Sequence, residues 1–345
     1  MPDPVRLLRD RTTLRLGGPA RRWVTASTEA ELIAAVDTAD RAGEPVLVLG
    51  GGSNVVVADE GFDGVVVEVR TRGVRPDVED GDATCGGVMV TVAAGEDWDE
   101  LVATAVSRGW VGIEALSGIP GSVGATPIQN VGAYGQEVSQ TVATVRVWDR
   151  RLHGVRTFAN AECGFGYRHS RFKADPGRHV VLDVTFQLAQ GTLGTSVTYA
   201  ELARRLGVES GARAPLGAVR DAVLELRRGK GMVLDADDHD TWSAGSFFTN
   251  PILDAAALPE GAPAWPQPDG SVKTSAAWLI ERAGFGKGYG DGRVRLSSKH
   301  TLALTNRGDA TTAELLDLAR EIRAGVEAAH GVRLVNEPVL VGCEL

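Results

Sequence analysis

The stretch VLVLGGGSNVVVADEG, residues 46–61, constrains the fold of this chain more than any other part of its sequence. Its glycines follow a short apolar strand pattern, and glycine allows backbone N–H groups to approach an oxyanion closely. In dinucleotide-binding folds and P-loops such glycines lead into a helix, whose N-terminus holds the phosphate. Here they lead into Val55–Val57, which has the pattern of another strand. The sequence therefore excludes both folds and leaves two alternatives, a tight turn and an anion-binding loop.

A second glycine-rich stretch, ALSGIPGSVGATPIQNVGAYG at residues 115–135, favours the anion-binding alternative. It carries almost no charge, and it fits neither an amphipathic helix nor an alternating strand. Backbone that lies closely along a flat ligand explains such a stretch better than either element. A buried glycine-rich core loop is the other interpretation.

Composition and charge narrow the class of protein. The 345 residues are enough for two or three domains, and a net charge of −9 with scattered basic residues argues against nucleic acid or an anionic membrane as a partner. Cys85, Cys163 and Cys343 lie far apart without metal-ligand spacing, which is typical of reduced thiols. The sequence contains no apolar run of membrane-spanning length and no signal-peptide pattern at its start. We expect a cytoplasmic monomer without a bound metal ion.

Local patterns predict a mixture of helices and strands. Capping boxes at Thr28 with Glu31 and at Thr311 with Glu314 each mark the start of a helix. Helical spacing predicts three more helices, over residues 97–108, 216–228 and 275–283. Strands are predicted over residues 46–49, 55–57, 65–69, 88–94, 144–148, 180–188 and 246–249. The acidic stretch RGVRPDVEDGDATCGG, residues 72–87, is predicted to be a loop, and composition divides the chain near residues 72 and 228.

Five motifs in one order give the chain a specific resemblance. They are LGGGSNVVV, GIPGSVGATPIQNVGAYG, ECGFGYRHSRFK, AGSFFTNP and NEPVLVG. From Thr12 to Gly342 the chain closely resembles the UDP-N-acetylenolpyruvoylglucosamine reductase family, flavoenzymes of peptidoglycan synthesis. The resemblance implies an α+β fold in which a two-subdomain FAD-binding module of the vanillyl-alcohol oxidase type precedes a C-terminal α/β substrate-binding domain. The implied boundaries are 1–72 and 73–227 for the two FAD-binding subdomains and 228–345 for the substrate domain.

The resemblance also implies the cofactors and the residues that hold them. FAD is expected to be bound without a covalent tether, because none of the six histidines lies in a motif that suggests one. NADPH is expected as the hydride donor. The glycine loop between two strands would then bind the FAD pyrophosphate, and the second glycine segment would line the flavin and adenine. The expected cofactor-binding residues are Gly51, Gly52, Ser53, Asn54, Gly121, Ser122, Gly124, Ala125 and Tyr167.

The implied reaction reduces an enolpyruvyl ether on UDP-N-acetylglucosamine to a lactyl ether. Hydride added at C3 leaves negative charge at C2 that spreads into the neighbouring carboxylate, so the site needs a cation there and an acid at C2. Arg168 of GFGYRHS fits the carboxylate, Glu337 of NEPVLVG is expected to act with it, and Ser246 of AGSFFTNP is expected to protonate C2. Without the motifs, the arginine would be read as a surface charge and the serine as a structural hydroxyl.

Residues that hold the UDP-sugar are implied by three further positions. Tyr199 in VTYAEL matches a tyrosine that closes over the substrate. Lys230 in RRGKGM and Asn250 in FFTNP match positions that contact the nucleotide or its phosphates. The stretch VLDADDHDTW, residues 233–242, departs from some members of the family, so the resemblance is less specific for the loop around Lys230.

Two other functions remain open on the sequence alone. One is an oxidase or dehydrogenase that uses the same flavin module on another substrate, which predicts reactivity with oxygen and none with the enolpyruvyl sugar. The other is a catalytically idle protein that binds a flavin or a UDP-sugar. The presence of Arg168, Ser246 and Glu337 argues against the second.

Overall fold

The computed structural model describes residues 6–77 and 87–345. The helices are α1 (Glu29–Arg41), α2 (Trp98–Ser107), α3 (Thr126–Gln129), α4 (Arg171–Ala174), α5 (Ala200–Leu206), α6 (Leu216–Gly229), α7 (Ala276–Arg282) and α8 (Thr312–His330). The strands are β1 (Ala20–Ala26), β2 (Val46–Leu49), β3 (Val55–Val57), β4 (Phe62–Val69), β5 (Val74–Pro76), β6 (Val88–Ala93), β7 (Trp110–Val111), β8 (Gly132–Ala133), β9 (Gln136–Glu137), β10 (Val142–Asp149), β11 (Gly154–Ala159), β12 (His179–Gln190), β13 (Ile252–Leu253), β14 (Trp265–Pro266), β15 (Val272–Lys273), β16 (Val294–Leu296), β17 (Leu304–Asn306) and β18 (Val339–Val341). Across the described ranges, no helix has both the length and the apolar character needed to cross a membrane.

The chain forms two compact units that do not follow its linear order. The first unit contains the residues up to Ala20, Gly52–Phe62 and Lys230–Leu345. The second contains Arg21–Gly51 and Asp63–Gly229. The α+β class is confirmed, since both units combine helices with sheets. The three-part division into 1–72, 73–227 and 228–345 stays a prediction.

The second unit contains two larger sheets and the two-stranded pair of β8 and β9. One has three strands in the order β1-β4-β2, with β2 and β4 parallel. The other has the order β11-β10-β12-β6-β5, adjacent strands in this order are antiparallel, and β7 also pairs with β12. Helix α1 begins as predicted, with Thr28 and Glu31 forming a complete capping box. The alternate valines of β4, β6 and β12 and the apolar faces of α1 and α2 form one buried core, which includes Trp98 and Phe186.

The first unit gathers segments that are far apart in the sequence. Strand β3 pairs in parallel with β18, so that Val55 lies opposite Val339. Helix α8 begins with the second predicted capping box, formed by Thr311 and Glu314. Its buried face, with Leu315 and other apolar residues at helical spacing, packs in a core with residues of α7 and the β16–β17 hairpin.

Two sequence expectations about local structure are wrong. The stretch 246–249 is not a strand, because its peptide groups bond to different segments instead of one partner strand. Phe247 donates its N–H to the Leu302 carbonyl at 2.7 Å, and Phe248 forms an isolated bridge with Asn336. The predicted loop at 72–87 contains strand β5, which pairs with β6. Cys85 and the rest of 78–86 lie outside the described residues.

Candidate active site

The two glycine-rich segments meet within the second unit. A Cβ added to Gly51 would lie 2.6 Å from the Cα of Gly121 and 3.2 Å from the N of Ser122. Gly51 is exposed and Gly121 is half-buried, so the contact leaves side-chain-free backbone at the surface. Such backbone can approach a diphosphate or a flat ring more closely than backbone that carries side chains. The residues present therefore fit the diphosphate or the flat rings of a dinucleotide cofactor.

The glycines on either side of this contact are required by packing. Gly52 has φ +64°, and a side chain there would collide with the carbonyl of Arg11. Its own carbonyl accepts the N–H of Thr13 at 3.1 Å. Gly124 donates its N–H to the Ala94 carbonyl at 2.9 Å, and a Cβ on Gly124 would lie 2.5 Å from that of Ala94. These two positions need glycine in the absence of any ligand, so their residue type is not by itself evidence for one.

The other predicted cofactor residues lie at turns beside these glycines. Ser53 and Asn54 are half-buried in the turn before β3, and the Asn54 carbonyl accepts the N–H of Val339 at 3.0 Å. Ser122 is buried, and Ala125 is exposed at the end of a short 3₁₀ turn that leads into α3. Their assignment to FAD stays a prediction.

Arg168 and Tyr167 occupy the two central positions of a tight turn in the second unit. The flanking residues, Gly166 and His169, exchange backbone hydrogen bonds at 3.0 and 3.1 Å. Arg168 has φ +51°, in the left-handed region that residues other than glycine rarely adopt. Its Nη2 donates to the carbonyl of Gly132 at 3.1 Å, which ties this turn to the second glycine segment.

Ser246 and Glu337 are far apart in the sequence. In the first unit their backbone segments are joined by a hydrogen bond. The backbone N–H of Glu337 donates to the carbonyl of Phe247, the residue after Ser246, at 2.8 Å. Both Ser246 and Glu337 are half-buried. Gly245 has φ +73°, which allows the sharp turn that precedes the serine. The fold therefore places the predicted acid and the predicted glutamate together.

The three predicted substrate-binding residues have different structural settings. Tyr199 immediately precedes α5, is 44% exposed, and packs edge-to-face on Tyr134 with ring centroids 5.3 Å apart. Lys230 is half-buried and follows the last residue of α6. The Asn250 Oδ1 accepts the N–H of Ala276 at 3.0 Å, at the start of α7. The side-chain oxygen of Asn250 is therefore bonded to the first residue of α7. Its amide nitrogen is the group that donates hydrogen bonds, for example to a nucleotide.

A carboxylate that the sequence analysis missed links the second glycine segment to two helices. The carboxylate of Asp99 in α2 accepts a hydrogen bond from the N–H of Gly118 at 2.6 Å. It accepts two more from the terminal nitrogens of Arg220 in α6, at 2.6 and 2.9 Å. Burial acts to raise the pKa of Asp99, but the hydrogen bonds from Arg220 and Gly118 lower it below its usual range. The three residues are far apart in the sequence, and none of them lies in a pattern that pairs it with the others.

A second missed residue is Asn130, inside the motif GIPGSVGATPIQNVGAYG. It is 1% exposed and has φ +44°. Its side chain bonds to the Gly166 carbonyl beside the Arg168 turn, and to the Glu137 carboxylate and the Ser139 N–H in the segment that follows β8. The signal available in the sequence was an asparagine in a glycine-rich stretch, since asparagine tolerates the left-handed region better than most residues.

Two family models match parts of this chain. The model of the FAD binding domain family matches residues 20–151, and the model of UDP-N-acetylenolpyruvoylglucosamine reductase, C-terminal domain, matches residues 237–341. Two glycine segments that meet at exposed backbone, in a region matched by the first model, define an FAD-binding protein.

Individual relatives specify the family. The UDP-N-acetylenolpyruvoylglucosamine reductase of Cutibacterium acnes is 58% identical over 337 residues, which cover 97% of this chain and 89% of the relative. That of Thermobifida fusca is 58% identical over 352 residues, which cover 98% and 97%. The crystal structure of the enzyme from Thermus caldophilus matches 98% of both chains with 26% identity and a TM-score of 0.66. The chain belongs to the UDP-N-acetylenolpyruvoylglucosamine reductase family.

Proposed function

We propose that this protein reduces UDP-N-acetylglucosamine enolpyruvate to UDP-N-acetylmuramate in peptidoglycan precursor synthesis, with NADPH as the hydride donor. The observation that carries the proposal is the 58% identity over 97% of the chain to a reductase of this name. Bound FAD supplies the hydride transfer chemistry that amino-acid side chains lack. The protein's part is to bind, to orient and to supply a proton.

Arg168 is assigned to the carboxylate of the enolpyruvyl group. A guanidinium offers planar paired donors that match a carboxylate, and it keeps its charge at any physiological pH. Negative charge that develops at C2 of the substrate spreads into that carboxylate, so a fixed cation stabilises the transition state more than the ground state. Glu337 is assigned to act with this arginine on the same group.

Ser246 is assigned as the proton donor to C2. A hydroxyl is a weak acid, but the carbon that it faces becomes strongly basic once hydride has added at C3. The hydrogen bonds of Phe247 to Leu302 and Glu337 fix the backbone next to the serine, which supports a donor with a defined direction. Tyr199, Lys230 and Asn250 are assigned to the UDP portion, with the lysine as the charged contact.

The test is NADPH oxidation with the enolpyruvyl sugar as acceptor, with the product identified by its gain of two hydrogens in mass. UDP-N-acetylglucosamine, which lacks the enolpyruvyl group, is the matched control and should support no oxidation. Oxygen consumption that does not depend on the enolpyruvyl sugar would favour an oxidase instead. Binding of either ligand without turnover would favour the idle binding protein.

A further inference from the structure

The backbone at Arg168 is held in a conformation that its own residue type disfavours. For an arginine, φ +51° costs about 1–2 kcal/mol relative to the usual regions. Such conformations persist only where the surrounding structure enforces them, and they concentrate at functional sites. Among the described residues, six that are not glycine have positive φ. Three of these six lie in two segments that are hydrogen-bonded to each other: Asn130 and Tyr134 in the second glycine segment, and Arg168 in its turn.

The side chain of Asn130 joins these two segments. Its Nδ2 donates to the carbonyl of Gly166, the residue before the turn that carries Arg168, at 2.9 Å. The same nitrogen donates to Glu137 Oε2 at 2.8 Å, and Oδ1 accepts the N–H of Ser139 at 3.2 Å. Both amide hydrogens and the oxygen are therefore used, at a residue that is 1% exposed.

Other bonds close the remaining sides of the turn. Lys173 Nζ donates to the Arg168 carbonyl at 3.0 Å, and the hydroxyl of Ser170 donates to the Ile128 carbonyl at 2.7 Å. The guanidinium itself donates to Gly132, two residues after Asn130. The segment 128–132 thus bonds to the guanidinium of Arg168 and to residues on both sides of it, Gly166 and Ser170. Asn130 is the residue of this segment whose side chain makes the bond to Gly166.

We propose that Asn130 is a positioning residue that fixes the Arg168 turn for the substrate carboxylate. This inference rests on the proposed function, because it requires that Arg168 binds the substrate carboxylate, and it assigns no chemistry to Asn130 itself. A simpler role, as the left-handed residue that ends α3, would be served equally well by glycine. The two roles therefore separate in Asn130→Gly, which keeps the backbone conformation and removes the amide.

The matched control is Asn160→Ala in the same unit. Asn160 is half-buried, and its Nδ2 donates to two backbone carbonyls, those of Ser139 at 2.8 Å and Val142 at 2.7 Å. It makes a comparable number of bonds but does not touch the Arg168 turn in the contacts described. Its replacement should lower the melting temperature with little change in turnover.

The experiment measures turnover, FAD content and melting temperature, and it compares binding of UDP-N-acetylglucosamine enolpyruvate with binding of UDP-N-acetylglucosamine. Asn130→Gly should keep its FAD and lose about 10–100-fold in kcat, because small displacements of a positioned group have effects of this size. It should weaken binding of the enolpyruvyl sugar and leave binding of UDP-N-acetylglucosamine unchanged. In an Arg168→Ala background the same substitution should cost less than about twofold, since residues that act through one another are not additive.

The outcomes are distinct. If Arg168→Ala itself leaves turnover and binding intact, the assignment of Arg168 and the role of Asn130 both fall. If Arg168→Ala is impaired while Asn130→Gly behaves like Asn160→Ala, or keeps its full effect without Arg168, only the role of Asn130 falls. Should the glycine variant not fold, Asn130→Asp replaces it, because aspartate keeps the size and the backbone preference but replaces both donors with a carboxylate beside Glu137.

Discussion

At the scale of single residues, the site depends on side chains whose backbone is fixed by hydrogen bonds to distant residues. The residue types themselves do not indicate these hydrogen bonds. Ser246 follows a glycine with φ +73° and precedes a residue bonded on both its N–H and its carbonyl. A hydroxyl fixed in this way can be aimed at one carbon atom. A hydroxyl on a mobile loop would lose most of its advantage over water.

Ser246→Ala should lower reduction of the enolpyruvyl sugar by about 10²–10⁴-fold, the usual contribution of a positioned acid. This corresponds to about 3–5 kcal/mol of barrier. Oxidation of NADPH by an artificial electron acceptor needs no proton at C2 and should keep its normal rate. Steady-state assays with the two acceptors make the comparison, and Ser246→Cys, which retains a donor, should lose less. Equal losses with both acceptors would show that the hydroxyl is structural.

A second residue-scale prediction concerns Asp240, which lies six residues before Ser246. Its carboxylate is buried and accepts the N–H and hydroxyl of Ser298 at 2.9 and 2.6 Å and Arg307 Nη1 at 2.9 Å. Burial acts to raise the pKa of Asp240, but hydrogen bonds from Ser298 and the charge of Arg307 lower it below its usual range.

Because the folded pKa of Asp240 is lowered, its carboxylate contributes stability above the unfolded pKa of about 3.9, and this stability is lost as the pH falls through the folded value. Asp240→Asn should reduce the free energy of unfolding by about 1–3 kcal/mol at neutral pH. The difference from wild type should shrink below about pH 4. Denaturant unfolding at several pH values measures it, with Asp317→Asn, an exposed partner of Arg320, as the control. A difference that grows on acidification would contradict the assignment.

At the scale of elements, the feature that defines the cofactor site is the contact between the glycine loop after β2 and the glycine segment before α3. Neither loop is special alone, since glycine turns between strands are common. Where the two loops are in contact, backbone from both segments lies side by side without side chains. This contact is possible because Gly51 has no side chain.

Gly51→Ala should separate these loops, because the added methyl would lie 2.6 Å from Gly121 Cα. We expect at least about tenfold weaker FAD binding, equivalent to about 1.4 kcal/mol. Gly217→Ala in α6 is the control, since nothing lies within 4 Å of its added Cβ, and its stability should change by less than about 1 kcal/mol. FAD titration of the stripped proteins gives the affinities. Unchanged affinity in the Gly51 variant would place the cofactor elsewhere.

At the scale of the whole molecule, two units are assembled from interleaved stretches of one chain. The chain changes unit four times, after residues 20, 51, 62 and 229. Two of these four points, at Gly51–Gly52 in the glycine loop and at Lys230 after α6, adjoin residues that the sequence assigns to ligand binding.

The purified protein should be yellow and should release one FAD per chain on denaturation, because a single glycine loop of this kind occurs in the described chain and the histidines lie outside any tethering motif. Absorbance of the supernatant after acid precipitation measures the released flavin. Flavin that stays with the precipitate would reveal a covalent bond. A colourless protein that cannot be reconstituted with FAD would contradict the cofactor assignment as well.

The sequence alone determined the features that depend on neighbours along the chain. The capping boxes at Thr28 and Thr311, the ends of α2, α6 and α7, and the valine strands are set by local hydrogen bonds and by side-chain periodicity, which can be read in order. The catalytic candidates came from a resemblance in motifs. Their residue types gave no separate indication.

Only the tertiary structure decided what depends on distant partners. The stretch 246–249 has the composition of a strand, yet its peptide groups bond to Leu302, Val335 and Glu337. The Gly51–Gly121 contact, the Asp99–Arg220 pair and the hold of Asn130 on the Arg168 turn likewise join residues that no local pattern connects. The physical reason is the same for all of these contacts. Hydrogen bonds and close packing depend on proximity in space, and the order of residues along the chain determines proximity only over about one turn of helix or one hairpin.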